Sequence, residues 1–239
     1  MIISLYQDMR YNLPKFIGKP FIKTSLDICK YPVFLTNDFK KTYDNLPYDS
    51  YLRNKTRQRR YAHYHIKDIK DNNFTINHEP GKVFRQNVED ERSTPRIFPT
   101  IEKPYDLFIF YMLQMTSQLV IRSHPSKINE MTIDVHQVRQ ICYPGIDSHN
   151  SMEGIHRDGC DYIISACVLN RHNIYGGESS VYNLEKNKVL YSTILEENEF
   201  IFQDDIKLCH YVTPIKYLLK DSITNRGYRD IIGLDVNII

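Results

Sequence analysis

The chain has no tryptophan, only 9 glycines, and no CxxC pair among its five cysteines, Cys29, Cys142, Cys160, Cys167 and Cys209. An odd number of irregularly spaced cysteines gives neither a disulfide framework nor a zinc-finger pattern, so reduced thiols in a cytoplasmic protein are expected. An excess of one charge is also missing: 31 Lys plus Arg stand against 29 Asp plus Glu, a net charge of +2. A dedicated nucleic-acid-binding domain is normally strongly basic, so a nucleic-acid partner is not expected. Long apolar runs are lacking as well. The most apolar stretch, residues 105–121, contains Asp106, Gln114, Thr116, Ser117 and Gln118, and is too short and too polar to span a bilayer. Asp8 interrupts the first residues too early for the apolar region of a signal peptide. A membrane partner is therefore not expected.

What is present is ordinary globular material: 239 residues, 41% hydrophobic and 25% charged. That excludes a wholly disordered chain. The length suggests one domain, residues 1–239. The 18 Tyr, 11 Phe and frequent Asn, Ile and Lys fit an AT-rich genome better than a functional device.

Residues 1–130 read as an irregular and helical part. Pro14, Pro20, Pro32 and Pro47 punctuate it, residues 38–46 suggest a short helix, and residues 61–66 alternate enough for a strand. The clearest helix follows Pro104, over residues 105–121. Its Leu107, Phe108, Tyr111, Met112, Met115 and Leu119 recur at three- and four-residue steps, the pattern of a helix face packed on a core. From residue 131 onward the chain reads as short strands: residues 131–139, 162–169, 179–184, 189–194, 199–203 and 228–236. Turn signals lie at Pro144-Gly145, Gly176-Gly177 and residues 185–188. Strands without intervening helices predict an antiparallel sandwich or barrel.

In this second half His156 and Asp158 lie two residues apart, and His210 follows 54 residues after His156. Residues i and i+2 of a strand share a face, so the first two side chains can meet at one point. Two imidazoles and one carboxylate are the ligand set of non-haem Fe(II) oxygenases, which leave coordination positions open. The same residues read blandly would make a surface His–Asp hydrogen bond, or a closed structural zinc site with a fourth ligand. Order and spacing favour iron: after the His156/Asp158 pair come Gly176-Gly177-Glu178, His210 and Arg229. A guanidinium near the end of the domain suits a dicarboxylate, to which it makes two parallel hydrogen bonds.

With these motifs in order, residues 134–236 resemble the Fe(II)/2-oxoglutarate-dependent dioxygenases, in particular the isoleucine 4-hydroxylase-like free amino-acid hydroxylases. The matching pieces are residues 136–139, 156–158, 170–178, 210–214 and 228–231, with weaker echoes at residues 57–64 and 81–86. The resemblance implies an α+β, mainly β fold: a double-stranded β-helix (jelly roll, cupin-like) at residues 131–239, with N-terminal helical decoration. It implies that His156, Asp158 and His210 hold Fe(II), and that Arg229, helped by Thr213, binds 2-oxoglutarate. It further implies that O₂ and 2-oxoglutarate are consumed to hydroxylate a small molecule, a free L-amino acid, with succinate and CO₂ as co-products. The alternatives are a hydroxylase of a protein side chain or other macromolecule, and a non-catalytic cupin-like binding module.

For the substrate, Gln137 and Arg139 share one strand face and His136 with Val138 the other; alternation alone does not say which looks inward. Arg57, Arg59 and Arg60 could anchor a carboxylate or form a solvated charged face. Arg60, Gln137 and Arg139 are candidate donors for a substrate carboxylate, and Glu153 the candidate acceptor for its ammonium. His63 and His65 are not expected to be ligands.

Overall fold

The alternation of residues 131–139 becomes the middle of a large antiparallel sheet. A computed structural model describes residues 19–26, 37–70, 73–218 and 225–239. The N-terminal segment with Asp8, and Cys29, lie outside the described residues. The strands are β1 (Phe21–Ser25), β2 (Arg57–Lys70), β3 (Asn73–Glu79), β4 (Met131–Cys142), β5 (Tyr162–His172), β6 (Ile174–Gly176), β7 (Glu178–Asn183), β8 (Val189–Ile194), β9 (Glu199–Asp204), β10 (Leu208–Val212), β11 (Ile215–Tyr217) and β12 (Gly227–Ile238). Seven form one sheet in the order β1-β9-β5-β12-β4-β2-β3; β10-β7-β8 and β11-β6 form two smaller sheets. The pairings are antiparallel, and β12 pairs with β4 from Gly227↔Cys142 to Ile238↔Met131.

Both faces of the large sheet are covered. On one face Ala62, Tyr64 and Ile66 of β2, Ile133 and Val135 of β4, and Ile232, Leu234 and Val236 of β12 join a core with Met112, Leu113, Met115 and Leu119 of helix α2 (Leu107–Ser123; α1 is Asn37–Lys41). On the other face Val138 and Ile231 pack with Val181 of β7 and Leu208 of β10. Pleating thus assigns alternate residues to a helix face and to a face opposite the small sheets.

Two expectations shift. The helix begins at Leu107 rather than 105. Asp106 caps it, its carboxylate accepting from the Phe108 N–H at 2.8 Å, while the Pro104 carbonyl accepts from the Tyr64 hydroxyl at 2.6 Å. The short helix of residues 38–46 is α1 followed by a 3₁₀ turn, Thr42–Asn45. The first 130 residues also supply more strand than their prolines suggest. The 14-residue β2 lies between β4 and β3, and β1 forms the opposite edge of the same sheet. The four described cysteines, Cys142, Cys160, Cys167 and Cys209, are buried and free. Among the described residues no helix is long and apolar enough to cross a membrane.

Candidate iron site

The His156/Asp158 pair does not lie in a regular strand. His156 forms an isolated antiparallel bridge with His210 of β10: its N–H donates to the His210 carbonyl at 3.0 Å and the reverse bond is 2.8 Å. Two residues on, the backbone N–H groups of Asp158 and Gly159 donate to Asp205 Oδ2 at 3.0 and 2.9 Å, and Gly159 turns the chain at φ +79°. A Cβ at position 159 would lie 2.3 Å from the Asn87 carbonyl oxygen, so the turn requires glycine. Bridge and turn do the work that a continuous strand was expected to do.

The result is convergence. The ligating atoms of His156, Asp158 and His210 all lie within 4.8 Å of one another. His156 Nε2 is 3.6 Å and His210 Nε2 3.4 Å from the two Asp158 oxygens, and the imidazole centroids are 4.3 Å apart. The outer bonds fix the rings: His156 Nδ1 lies 2.9 Å from the Gly154 carbonyl oxygen, leaving Nε2 toward Asp158. Burial pushes the Asp158 carboxyl up, but hydrogen bonds from His156 and His210 outweigh it and hold the group well below the usual carboxylate range. For His156, burial lowers the pKa, but Asp158 and Glu153 prevail and raise it. An electronegative pocket that draws a proton onto the His156 imidazole also favours a divalent cation in its place.

The three side chains open onto a cleft of about 820 Å³ that Arg57, Arg59, Gln86, His136, Val138 and Ile231 also line. This donor set, facing a cleft rather than protein on all sides, fits an iron that must also accept a cosubstrate. Gln86 supports it by donating to Asp158 Oδ1 at 2.6 Å. Gln86→Ala is expected to weaken Fe(II) binding by about 10–100-fold, the usual cost of losing a partner of a ligand. Competition against a coloured chelator measures this, and unchanged affinity would show that Gln86 does not orient Asp158.

The other expected site residues are divided between the two faces of the sheet. Glu153 lines the cleft, its Oε1 lying 3.1 Å from His156 Nε2 and 3.3 Å from Arg92 Nη1. Arg229 is fully buried on the same face of β12 as the cleft-lining Ile231, Gly233 and Asp235. Its Nε donates to Gln140 at 2.9 Å and its Nη1 to the Gly177 carbonyl at 3.1 Å, while Nη2 has no partner among the described residues. Gly177, at φ +71°, allows this approach, since a Cβ there would come within 3.0 Å of Arg229 Nη1. Burial, with Arg171 beside it, lowers the Arg229 pKa to about 9. The Thr213 hydroxyl accepts from the Glu178 N–H at 2.9 Å, one residue from the carbonyl that Arg229 holds.

Gln137, Arg139 and Arg60 are not in the cleft. Gln137 donates to Thr42 Oγ1 at 2.7 Å, on the helix face. Arg139 forks onto Asp230 at 2.6 and 2.8 Å, and Arg60 donates to the Thr100 carbonyl at 2.9 Å. The physical reason is the pleat: Val138 and Arg59, one position away, take the cleft side. His63 bonds Asp134 at 2.6 Å and His65 bonds Glu130 at 2.9 Å, so both have partners other than the three converging residues. Arg92, Arg96 and Asp205 lie in stretches where the sequence pattern shows no chemistry. For Gln86 the echo at residues 81–86 was the available signal.

Fold and donor set together define a non-haem iron dioxygenase. The chain belongs to the 2OG-Fe dioxygenase family, whose model matches residues 40–235. As a member, it is an enzyme that uses Fe(II), 2-oxoglutarate and O₂. No curated protein matches it. Among solved structures, a bsmA homolog from Methylobium petroleophilum superposes with a TM-score of 0.79 at 17% identity, over 93% of this chain and 90% of that one. IDO from Bacillus thuringiensis gives 0.72 at 18% identity, over 93% and 92%. The Fe(II)/α-ketoglutarate-dependent dioxygenase TqaL gives 0.65 at 13% identity, over 93% and 84%. These likenesses establish the shared jelly-roll fold.

Proposed function

We propose that the enzyme hydroxylates a free L-amino acid, with His156, Asp158 and His210 as the iron ligands. The observation that carries this reading is the Glu153 carboxylate in the wall of the triad's own cleft, 3.1 Å from His156 Nε2. It offers an ammonium acceptor beside the reacting position. The motif resemblance to the isoleucine 4-hydroxylase-like enzymes and the fold shared with IDO support the same class. Iron held by His156, Asp158 and His210 would supply, with 2-oxoglutarate and O₂, the oxidising power to insert one oxygen into a C–H bond, with succinate and CO₂ as co-products. The chain's own residues do the positioning. Arg229 receives the distal carboxylate of 2-oxoglutarate through its unpartnered Nη2, with the Thr213 hydroxyl nearby. Val138, Ile163 and Ile231 give the cleft an apolar wall for a side chain.

The test is mass spectrometry after incubation of the standard amino acids with enzyme, Fe(II), 2-oxoglutarate and ascorbate. A gain of one oxygen coupled to succinate formation is expected, most strongly for an aliphatic amino acid. No oxidised amino acid, alongside turnover of a peptide or an oligonucleotide, would hand the reading to a macromolecular substrate.

A further inference from the structure

Four arginines line the cleft, Arg57, Arg59, Arg92 and Arg96, and they are not equally satisfied. Arg57 holds Asp49 Oδ2 at 2.8 Å. Arg92 holds Asp90 at 2.8 Å and Glu153 at 3.3 Å. Arg59 is only 7% exposed, and its nearest carboxylate oxygen is that same Asp49 Oδ2, at 4.0 Å. Its close bond, 2.7 Å from Nη2, goes to His136 Nδ1. That imidazole carries no compensating charge. Burial and the Arg59 cation push its pKa down to about 3, and with Nδ1 accepting, its Nε2–H donates to Asp235 at 3.1 Å. Arg96 donates to Gln86 Oε1 and, at 3.4 Å, to the Arg92 carbonyl, with no ion pair among the described residues. Neither Nε has a partner.

A buried or half-buried guanidinium whose only carboxylate is shared and distant, as for Arg59, or that has no ion pair among the described residues, as for Arg96, is costly, and a structure tolerates it where an anion is to be received. Burial and Arg57 lower the pKa of Arg59 to about 9, and the same two causes lower that of Arg96. Both cations rest on aromatic rings that hold their planes in place. The Arg59 Cζ lies 4.0 Å from the Phe98 centroid and 5.8 Å from that of Phe84, and the Arg96 Cζ lies 4.9 Å from Phe84. Gln86 links Arg96 to the iron site, since its Oε1 accepts from Arg96 while its Nε2 donates to Asp158. Arg96 is thus one side chain away from Asp158, and Arg59 lines the same cleft from β2, whereas Arg229 is on β12.

We propose that Arg59 and Arg96, supported by Phe84 and Phe98, form the seat for the carboxylate of the primary substrate. The enzyme then selects small molecules with a free carboxylate and holds that head beside the triad. This rests on the reading of the cleft as a small-molecule site, and it narrows to Arg59, joined by Arg96, the carboxylate-anchoring role that the sequence pattern offered to Arg57, Arg59 and Arg60.

The experiment titrates the Fe(II)- and 2-oxoglutarate-loaded enzyme under nitrogen, by calorimetry, with the standard amino acids, their carboxamides and the corresponding 2-hydroxy acids. The acid is expected to bind about tenfold or more tighter than its amide, as expected when a buried charge loses its partner. Arg59→Gln and Arg96→Gln should each shrink that preference severalfold and raise KM more than they lower kcat, with 2-oxoglutarate affinity held. Arg59→Lys should retain part of the preference. Equal binding of acid and amide, binding of none of the acids, or a variant that weakens 2-oxoglutarate instead would overturn the seat. If hydroxy acids bind with the same arginine dependence and amino acids do not, the seat stands and the amino-acid reading fails.

Discussion

Asp158→Ala is expected to abolish turnover and to cut Fe(II) affinity by more than the ~10–100-fold that loss of an outer partner costs. Asp158 supplies the one negative charge of the donor set, and both imidazoles are within hydrogen-bonding or ion-pairing range of it. Removing it leaves two neutral nitrogens to hold a dication and takes away the acceptor of Gln86. Melting temperature should change little in comparison, because the turn at Gly159 is held through Asp205 and the backbone rather than through the Asp158 side chain. Succinate formation and equilibrium dialysis against Fe(II) check both halves. An Asp158→Ala enzyme that retains stoichiometric iron would show that another residue completes the site.

Arg229→Ala carries the second large effect. The residue is wholly buried, and among the described residues its Nη2 has no partner and its charged neighbour is another guanidinium, Arg171, with no carboxylate in direct contact. Truncating one partner of such a desolvated charge pair costs about 2–4 kcal/mol. That corresponds to a rise of roughly 30- to 1,000-fold in the 2-oxoglutarate concentration required. Iron binding should be nearly intact, since Arg229 touches Gln140 and Gly177 and none of the three ligands. Normal saturation by 2-oxoglutarate in the variant would place the carboxylate elsewhere.

The converging triad was legible as a candidate iron site because its chemistry is restrictive. Few residue types bind Fe(II), and His156, Asp158 and His210 stand in the required order. What could not be read was how they converge, since a two-residue bridge and a carboxylate-clamped turn leave no periodic trace. The substrate side misled for a related reason. β4 is buried along nearly its whole length, with a helix core on one face and the cleft on the other. Polarity along it therefore does not reveal which alternate residues meet the iron site, and the pair Gln137 and Arg139 went to the helix side. In β2 the run Arg57, Arg59, Arg60 could be read either as a carboxylate anchor or as a solvated face. Its first two members project into a polar cleft, while Arg60 turns back to Thr100. Short edge strands such as β1, β3 and β11 carry too few apolar residues to mark themselves, and only pairing with longer neighbours defines them.

On the proposed function, one iron is held by His156, Asp158 and His210 in the arginine-walled cleft. Anomalous diffraction at the iron edge, from crystals grown with Fe(II) and 2-oxoglutarate under nitrogen, tests it most directly. A single strong peak contacted by those three side chains is expected. A peak bound by another set of residues, with these three unliganded, would contradict it.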